Sequence, residues 1–332
     1  MNPQLLNPKQ PWLTLVIPTC NRPLHIAELL SKYSSMSRFS DCVLSIYDSS
    51  TDDQTKDAVS PYLRYANVHY YRYPHSPEPD AHIFKGCYRY PFDSWIAASL
   101  KTQAGLESAS TDYVFLDGDS YLLNLDQIDR AWLDGHPESD FFVLNERFSL
   151  EHSAVKENQI LTFDDFEDFF VKWYWRATLY GATIVRKSLL SKFDFDHCWQ
   201  TYSYYFGYTG GLFEYSSGHP TVITYDLVRF SLIPKSYSEY STFDIWGDAF
   251  RKATLALPYF SKRSKIKAAR QFELVIQKFS FKNLVRMKMA GYYGWKVYWN
   301  NRRGLNFLLG YHQRRLSSLP CYLDGSGGSC LG

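Results

Sequence analysis

Between Leu13 and Leu116, short unbroken apolar runs alternate with stretches of helical period, and this alternation limits the fold more than any single residue does. Leu13 to Pro18, Cys42 to Tyr47, Val68 to Tyr71 and Tyr113 to Leu116 are too short for helices. They are rich in β-branched and aromatic residues, so they read as strands, with Tyr113 to Leu116 a buried one. Pro18 is expected to end the first of them, because proline cannot continue a central ladder. Pro23 then opens a helix in which Ile26, Leu29, Leu30 and Tyr33 recur at three and four. Residues 94–109 carry helical spacing through Trp95, Ala98, Leu100, Ala104 and Leu106, and 74–91 reads as an irregular loop. Strand–helix alternation predicts an α/β fold: a mostly parallel, Rossmann-like sheet flanked by helices.

Three of the four strand ends carry polar loops that could do chemistry. The first leads into Pro18-Thr19-Cys20-Asn21-Arg22-Pro23, the second into Asp48-Ser49-Ser50-Thr51-Asp52-Asp53, and the fourth into Asp117-Gly118-Asp119-Ser120. Open α/β sheets bind ligands at the carboxyl ends of their strands. Two carboxylates one residue apart, separated by a glycine that lets the chain turn, suit a hard divalent cation, which would in turn hold a diphosphate. An acidic turn is the plain alternative.

In this order and at this separation, the three loops resemble family 2-like glycosyltransferases of the GT-A fold. Val16 to Arg22 resembles that family's opening strand and loop, Tyr47 to Asp52 its second-strand acidic loop, and Phe115 to Ser120 its Asp-x-Asp motif. The resemblance is good over 12–124, weaker over 125–245 and absent beyond. It implies that Pro18, Thr19 and Arg22 border the nucleotide and that Asp48 accepts from the base, typically the uracil imide. Asp117 would lie near ribose or metal, and Asp119 would bind Mn²⁺ or Mg²⁺. Lys101 stands where the family often has a residue facing the donor, although a solvated helix lysine is the ordinary alternative. The cation would stabilise the charge that grows on a leaving diphosphate. The substrates implied are a nucleotide sugar, most readily a UDP-sugar, and a surface-polysaccharide or lipid-linked glycan acceptor.

An inverting transferase needs a base for the acceptor hydroxyl. The family's usual acid falls here near Gly210 or Gly211, in Gly207-Tyr208-Thr209-Gly210-Gly211-Leu212-Phe213-Glu214. If a helix starts near Thr209, Glu214 shares a face with these glycines, which makes it the first candidate base. Asp196 and Asp194 are the alternatives. Of the aromatic residues Trp173, Tyr174, Trp175, Tyr202, Tyr204, Tyr205 and Phe206, most are expected in the core, with some left to platform a sugar.

The division expected is 1–124 for the nucleotide-sugar half, 125–245 for the acceptor half, 246–316 for a basic helical extension and 317–332 for a flexible tail. The net charge of +2 conceals the extension: Arg251 to Arg315 holds sixteen Lys and Arg against Glu273 alone. A basic amphipathic helix there suits either anionic lipid or a solvated cap on the catalytic domain. No nucleic-acid module accompanies the charge, so nucleic acid is not an expected partner. The six cysteines form no metal or disulfide spacing and read as free thiols. The first eleven residues lack a signal peptide's apolar core, and no window of about 18 apolar residues exists. A cytoplasmic protein, at most peripheral to the inner face of the membrane, is expected. Two rivals remain. One is a sugar-nucleotide-forming nucleotidyltransferase, against which Pro18 to Pro23 lacks a glycine. The other is a non-catalytic carbohydrate-binding protein that retains the fold.

Overall fold

The computed structural model describes residues 10–75, 95–118, 121–146, 160–162, 165–216, 221–225, 228–229 and 249–276. In chain order the elements begin with β1 (Leu13–Thr19), α1 (Pro23–Ser34), β2 (Cys42–Asp48), α2 (Gln54–Val59) and β3 (Val68–Arg72). Next come α3 (Trp95–Ser108), β4 (Tyr113–Leu116), β5 (Tyr121–Leu122), α4 (Arg130–Asp134), β6 (Phe141–Glu146) and β7 (Ile160–Thr162). The chain continues through α5 (Phe166–Ala177), β8 (Thr183–Arg186), α6 (Lys187–Leu190), α7 (Phe195–Tyr215), β9 (Thr221–Tyr225) and β10 (Val228–Arg229). Two helices, α8 (Phe250–Ala256) and α9 (Lys262–Ile276), follow. Eight strands form one sheet in the order β3-β2-β1-β4-β8-β6-β9-β7, and β5 pairs with β10 apart from it. The strands run parallel except β8 and β7, which are reversed.

The parallel half follows the predicted pattern closely. The α1 residues Ile26, Leu29, Leu30 and Tyr33 are all buried, and they share a core with Tyr113 and Phe115 of β4. Odd-numbered residues of β4 therefore face the α1 layer. On the other face, α3 approaches β1 so closely at Gly105 that a Cβ would come within 2.2 Å of Val16 Cγ1.

Pro18 does not end β1, contrary to expectation. It stays in register with Tyr47 of β2, whereas pairing with β4 stops at Val16. The Asp117 N–H donates to the Val16 carbonyl (2.8 Å), so even residues of β1 point toward β4. Pro18 has the same parity and faces the space past the last paired residue of β4, where no donor is required.

The second half departs further. Over 125–134 the chain forms a 3₁₀ turn at Leu125–Gln127 followed by α4, whose first turn Asp129 caps through the Ala131 N–H (3.2 Å). No helix starts at Thr209. Instead α7 starts at Phe195, capped by Asp194 (3.0 Å to the His197 N–H), and breaks at Ser203, where φ is 69°. Two contacts orient the half beyond the break. The Tyr208 hydroxyl meets Thr183 Oγ1 (2.8 Å) at the start of β8, and Phe213 meets Phe141 (5.4 Å) at the start of β6. The pairing of Phe141 with Val185 and of Arg186 with Tyr113 places the start of β6 at the amino end of β4. This half of α7 thus runs away from the carboxyl ends of the parallel strands.

At the start of the expected basic extension, α8 and α9 pack on the body. Phe260, between them, stacks on Phe170 of α5 (3.9 Å), the Ser261 N–H donates to Glu167 (3.0 Å), and Ala268 is buried. The rest of that extension and the tail, 277–332, lie outside the described residues.

Candidate functional site

The carboxyl ends of β1, β2 and β4 come together, and side chains brace the loops that leave them. Asn21 sits at φ 53°, a left-handed conformation that asparagine tolerates. Its N–H donates to Ser50 Oγ (2.7 Å), and its Oδ1 accepts from the Thr51 N–H (2.8 Å) and hydroxyl (3.0 Å). The loop after β1 is thereby fastened to the loop after β2. Pro18 and Thr19 are buried at this junction. Arg22 is half-buried at the head of α1, where its carbonyl accepts from the Ile26 N–H (3.1 Å).

Lys101 is not the solvated lysine of the ordinary reading: it is 2% exposed. Its ammonium donates to the Thr19 carbonyl (2.8 Å) and to the Ser49 hydroxyl. A cation is thus held beneath the seam between β1 and β2, and the close approach of α3 at Gly105 brings it within reach.

Asp48 is fully buried. Its Oδ1 accepts from the Ser50 N–H (2.8 Å) and hydroxyl, and its Oδ2 from Tyr70 (2.7 Å) and the Arg72 guanidinium (3.0 Å). Contact with a nucleobase would require exchanging one of these partners. Arg72 also donates to the Asp52 carbonyl (3.0 Å) and the Ser50 carbonyl, so it gathers the whole β2 loop. Burial, and next the bond to Asp48, push the Tyr70 hydroxyl up to about 12, so it remains a donor at neutral pH.

Asp117 is fully buried as well. Strand parity turns it toward α1, where its Oδ2 accepts from the Tyr33 hydroxyl (2.8 Å), and that hydroxyl in turn accepts from the Leu123 N–H (3.1 Å). Burial, with the Asp117 charge adding to it, raises Tyr33 well above the phenol range and keeps it protonated. The second carboxylate of the motif, Asp119, lies outside the described residues.

The two candidate bases are not brought to this end. The Glu214 carboxylate is bound by His197 Nε2 (3.1 Å) and by the Tyr202 hydroxyl (2.8 Å). Two residues on, Ser216 donates to Asp140 (3.1 Å), just ahead of β6. Asp117 stands four residues along β4 from that edge, about 13 Å at strand rise. Asp196 is exposed in the first turn of α7, beside Asp194, and belongs to the same far end. Nor does Gly210 leave a gap for a missing acid: a Cβ there would lie 2.1 Å from Tyr202 Cδ2. The aromatic residues are mostly core, as expected. Trp173, Tyr174, Trp175, Tyr202 and Phe206 are buried, and Tyr204 is 38% exposed.

Sequence reasoning missed Tyr33, Tyr70, Arg72 and Ser49. Tyr70 and Arg72 alternate along β3, but only the pairing of Arg72 with Asp48 reveals that they share a site.

No protein-family model and no curated protein matches the sequence. Among solved structures, a fragment of S. aureus TarS (residues 1–349) is similar, with a TM-score of 0.52 and 15% identity over 83% of this chain and 74% of that one. The same fragment in complex with UDP gives 0.52 and 16%, covering 84% and 75% of the two chains. Its complex with UDP-GlcNAc gives 0.51 and 16%, covering 81% and 73%. The chain spans 44% of a longer TarS structure. At these identities the likeness establishes the fold, an α/β architecture of GT-A type.

Proposed function

We propose that the protein is a glycosyltransferase that takes a sugar from a nucleotide donor, in the first instance a UDP-sugar, and passes it to a surface-polysaccharide or lipid-linked glycan acceptor. One observation carries the reading. The braced loops at the ends of β1 and β2, the buried Lys101 ammonium and the Asp117 turn converge at one end of the sheet. Ligands of open α/β sheets gather there. The TarS fragment that shares this fold has been solved with UDP and with UDP-GlcNAc.

Within this reading Thr19 and Arg22 border the nucleotide, and Lys101 fixes the β1–β2 seam beneath it. Asp48 and Arg72 form the wall on the base side. Among the described residues no group of three His, Cys, Asp or Glu could hold a cation. Asp117 is turned onto Tyr33, so Mn²⁺ or Mg²⁺ would rest on Asp119 together with the donor's own phosphate oxygens. When bound, the cation would neutralise charge on the diphosphate as the glycosidic bond breaks. Peripheral attachment to the inner face of the cell membrane through 251–316 belongs to the same reading. Sedimentation with anionic vesicles tests it.

The decisive experiment is calorimetric titration with UDP, with and without Mn²⁺, followed by assay of sugar release from UDP-sugars. Metal-dependent binding and turnover are expected, and Asp119→Ala should abolish both. Unchanged activity in that variant would remove the cation from Asp119. A non-catalytic, carbohydrate-binding role is the second reading, favoured by the distance of Glu214 from Asp117. It predicts UDP binding without turnover on any acceptor.

A further inference from the structure

Tyr33 is a buried polar residue that the proposed chemistry does not otherwise use. It stands in the last turn of α1 among Leu29, Leu30 and Phe115, with no exposed surface. Its ring carries one polar atom, and that atom makes two bonds to points six residues apart. It donates to Asp117 Oδ2 (2.8 Å) and accepts from the Leu123 N–H (3.1 Å). Asp117 is the first residue after β4, and Leu123 is the first after β5. One hydroxyl therefore closes both ends of the loop that carries Gly118, Asp119 and Ser120 in sequence.

The neighbouring bonds make this more than a core hydrogen bond. The Asp117 N–H is tied to the Val16 carbonyl (2.8 Å), and the Leu116 carbonyl accepts from the Gly181 N–H (2.7 Å). The strand end is therefore fixed by its main chain, and what remains to be set is the side chain and the return of the loop. A phenol in a packed core has two rotatable bonds, both fixed by burial here, so it is a rigid reference for the two points it joins. Beyond Leu123 the chain is fastened independently, through Asp126, whose Oδ1 accepts from the Ser37 hydroxyl (2.7 Å) and the Arg38 N–H (3.1 Å). Tyr33 therefore joins the strand end at Asp117 to the chain at Leu123, next to the β5–β10 pair.

We propose that Tyr33 is a positioning residue for the acidic loop: its hydroxyl ties Asp117 to Leu123 and, through that tie, sets the affinity for the nucleoside diphosphate. The inference rests on the donor-binding reading above, but its structural half can be tested without it. Tyr33→Phe removes both bonds and leaves the ring. In hydrogen exchange of the full chain, peptides covering 117–123 should exchange at least tenfold faster in the variant, while peptides of β1 and β2 stay as in wild type. In calorimetry with UDP and Mn²⁺, affinity should fall about tenfold.

Leu29→Ala is the control. It opens a cavity in the same helix and core but touches neither bond, so it should loosen the helix while leaving UDP affinity within twofold of wild type. If Tyr33→Phe exchanges normally over 117–123, the staple is refuted. If that loop loosens yet UDP affinity is unchanged, or if Leu29→Ala loses affinity equally, the positioning role is refuted. Should Tyr33→Phe not fold, Asp117→Ala breaks the staple from the other side and must loosen the same peptides; normal exchange there overturns the proposal. Failure of wild type to bind UDP would instead overturn the donor reading and leave the exchange result standing.

Discussion

Gly210→Ala separates two physical effects that predict opposite signs. Gly210 lies inside α7, and helix propensity alone makes alanine better there by about 0.8–1 kcal/mol. The packing says otherwise. A Cβ at 210 would stand 2.1 Å from Tyr202 Cδ2 and 2.2 Å from Cγ, and ordinary contact begins at 3.4 Å. Something must move by more than 1 Å. Cγ is one bond from the Tyr202 Cβ, so the ring cannot swing clear without moving main chain. Tyr202 is also 1% exposed, and its hydroxyl is held by Glu214 at 2.8 Å.

Overpacking of this kind costs about 1–3 kcal/mol. Breaking a hydrogen bond to a charged group adds about 1.5–3 kcal/mol. Set against the propensity gain, the net expectation is a loss of about 1.5–5 kcal/mol. In a domain of this size that lowers Tm by roughly 3–20 °C. Thermal unfolding followed by circular dichroism measures it, with the same substitution made in a Tyr202→Ala background. Removing the ring removes the clash, so there the alanine should be neutral or stabilising. A Gly210→Ala protein as stable as wild type would refute the folding of α7 on itself at Ser203, and with it the reason given for the missing acid.

Other expectations follow from the same geometry. Lys101→Met removes the buried ammonium that donates to both the Thr19 carbonyl and the Ser49 hydroxyl. It should cost about 1–3 kcal/mol in urea unfolding and weaken UDP binding at least tenfold; unaltered binding would separate Lys101 from the donor site. Glu214→Gln should leave transfer within a few-fold of wild type, because the residue stands at the far end of the sheet; a thousandfold loss of kcat would mean that the far-end placement is wrong. The Tyr113 hydroxyl (2.7 Å) and Arg130 (3.3 Å) hold the Asp134 carboxyl below its usual range. Its stabilisation is present above the ordinary carboxylate pKa and fades as pH falls through the lowered one. Asp134→Asn should therefore lose less stability than wild type between pH 5 and pH 3, as read by urea midpoints across that range.

The sequence by itself determined the parallel half of the fold. Runs such as Tyr113 to Leu116 have one plausible conformation, and the period of Ile26, Leu29, Leu30 and Tyr33 names the face that must be covered. Local pattern also located the loops, since a polar stretch after a buried strand has nowhere to go but its end. Direction was a different matter. Whether Asp117 meets solvent or α1 depends on strand parity within a paired sheet, and only the register with β1 sets it. Whether Lys101 is solvated depends on how near α3 comes to Val16. Glu214 shares a helix with Gly210, as its spacing suggested, but the break at Ser203 and the contact of Phe213 with Phe141 carry that helix away from the acidic loop. Periodicity records which residues share a face. It holds no information about where that face is aimed, because aim is set by packing between elements far apart in the chain.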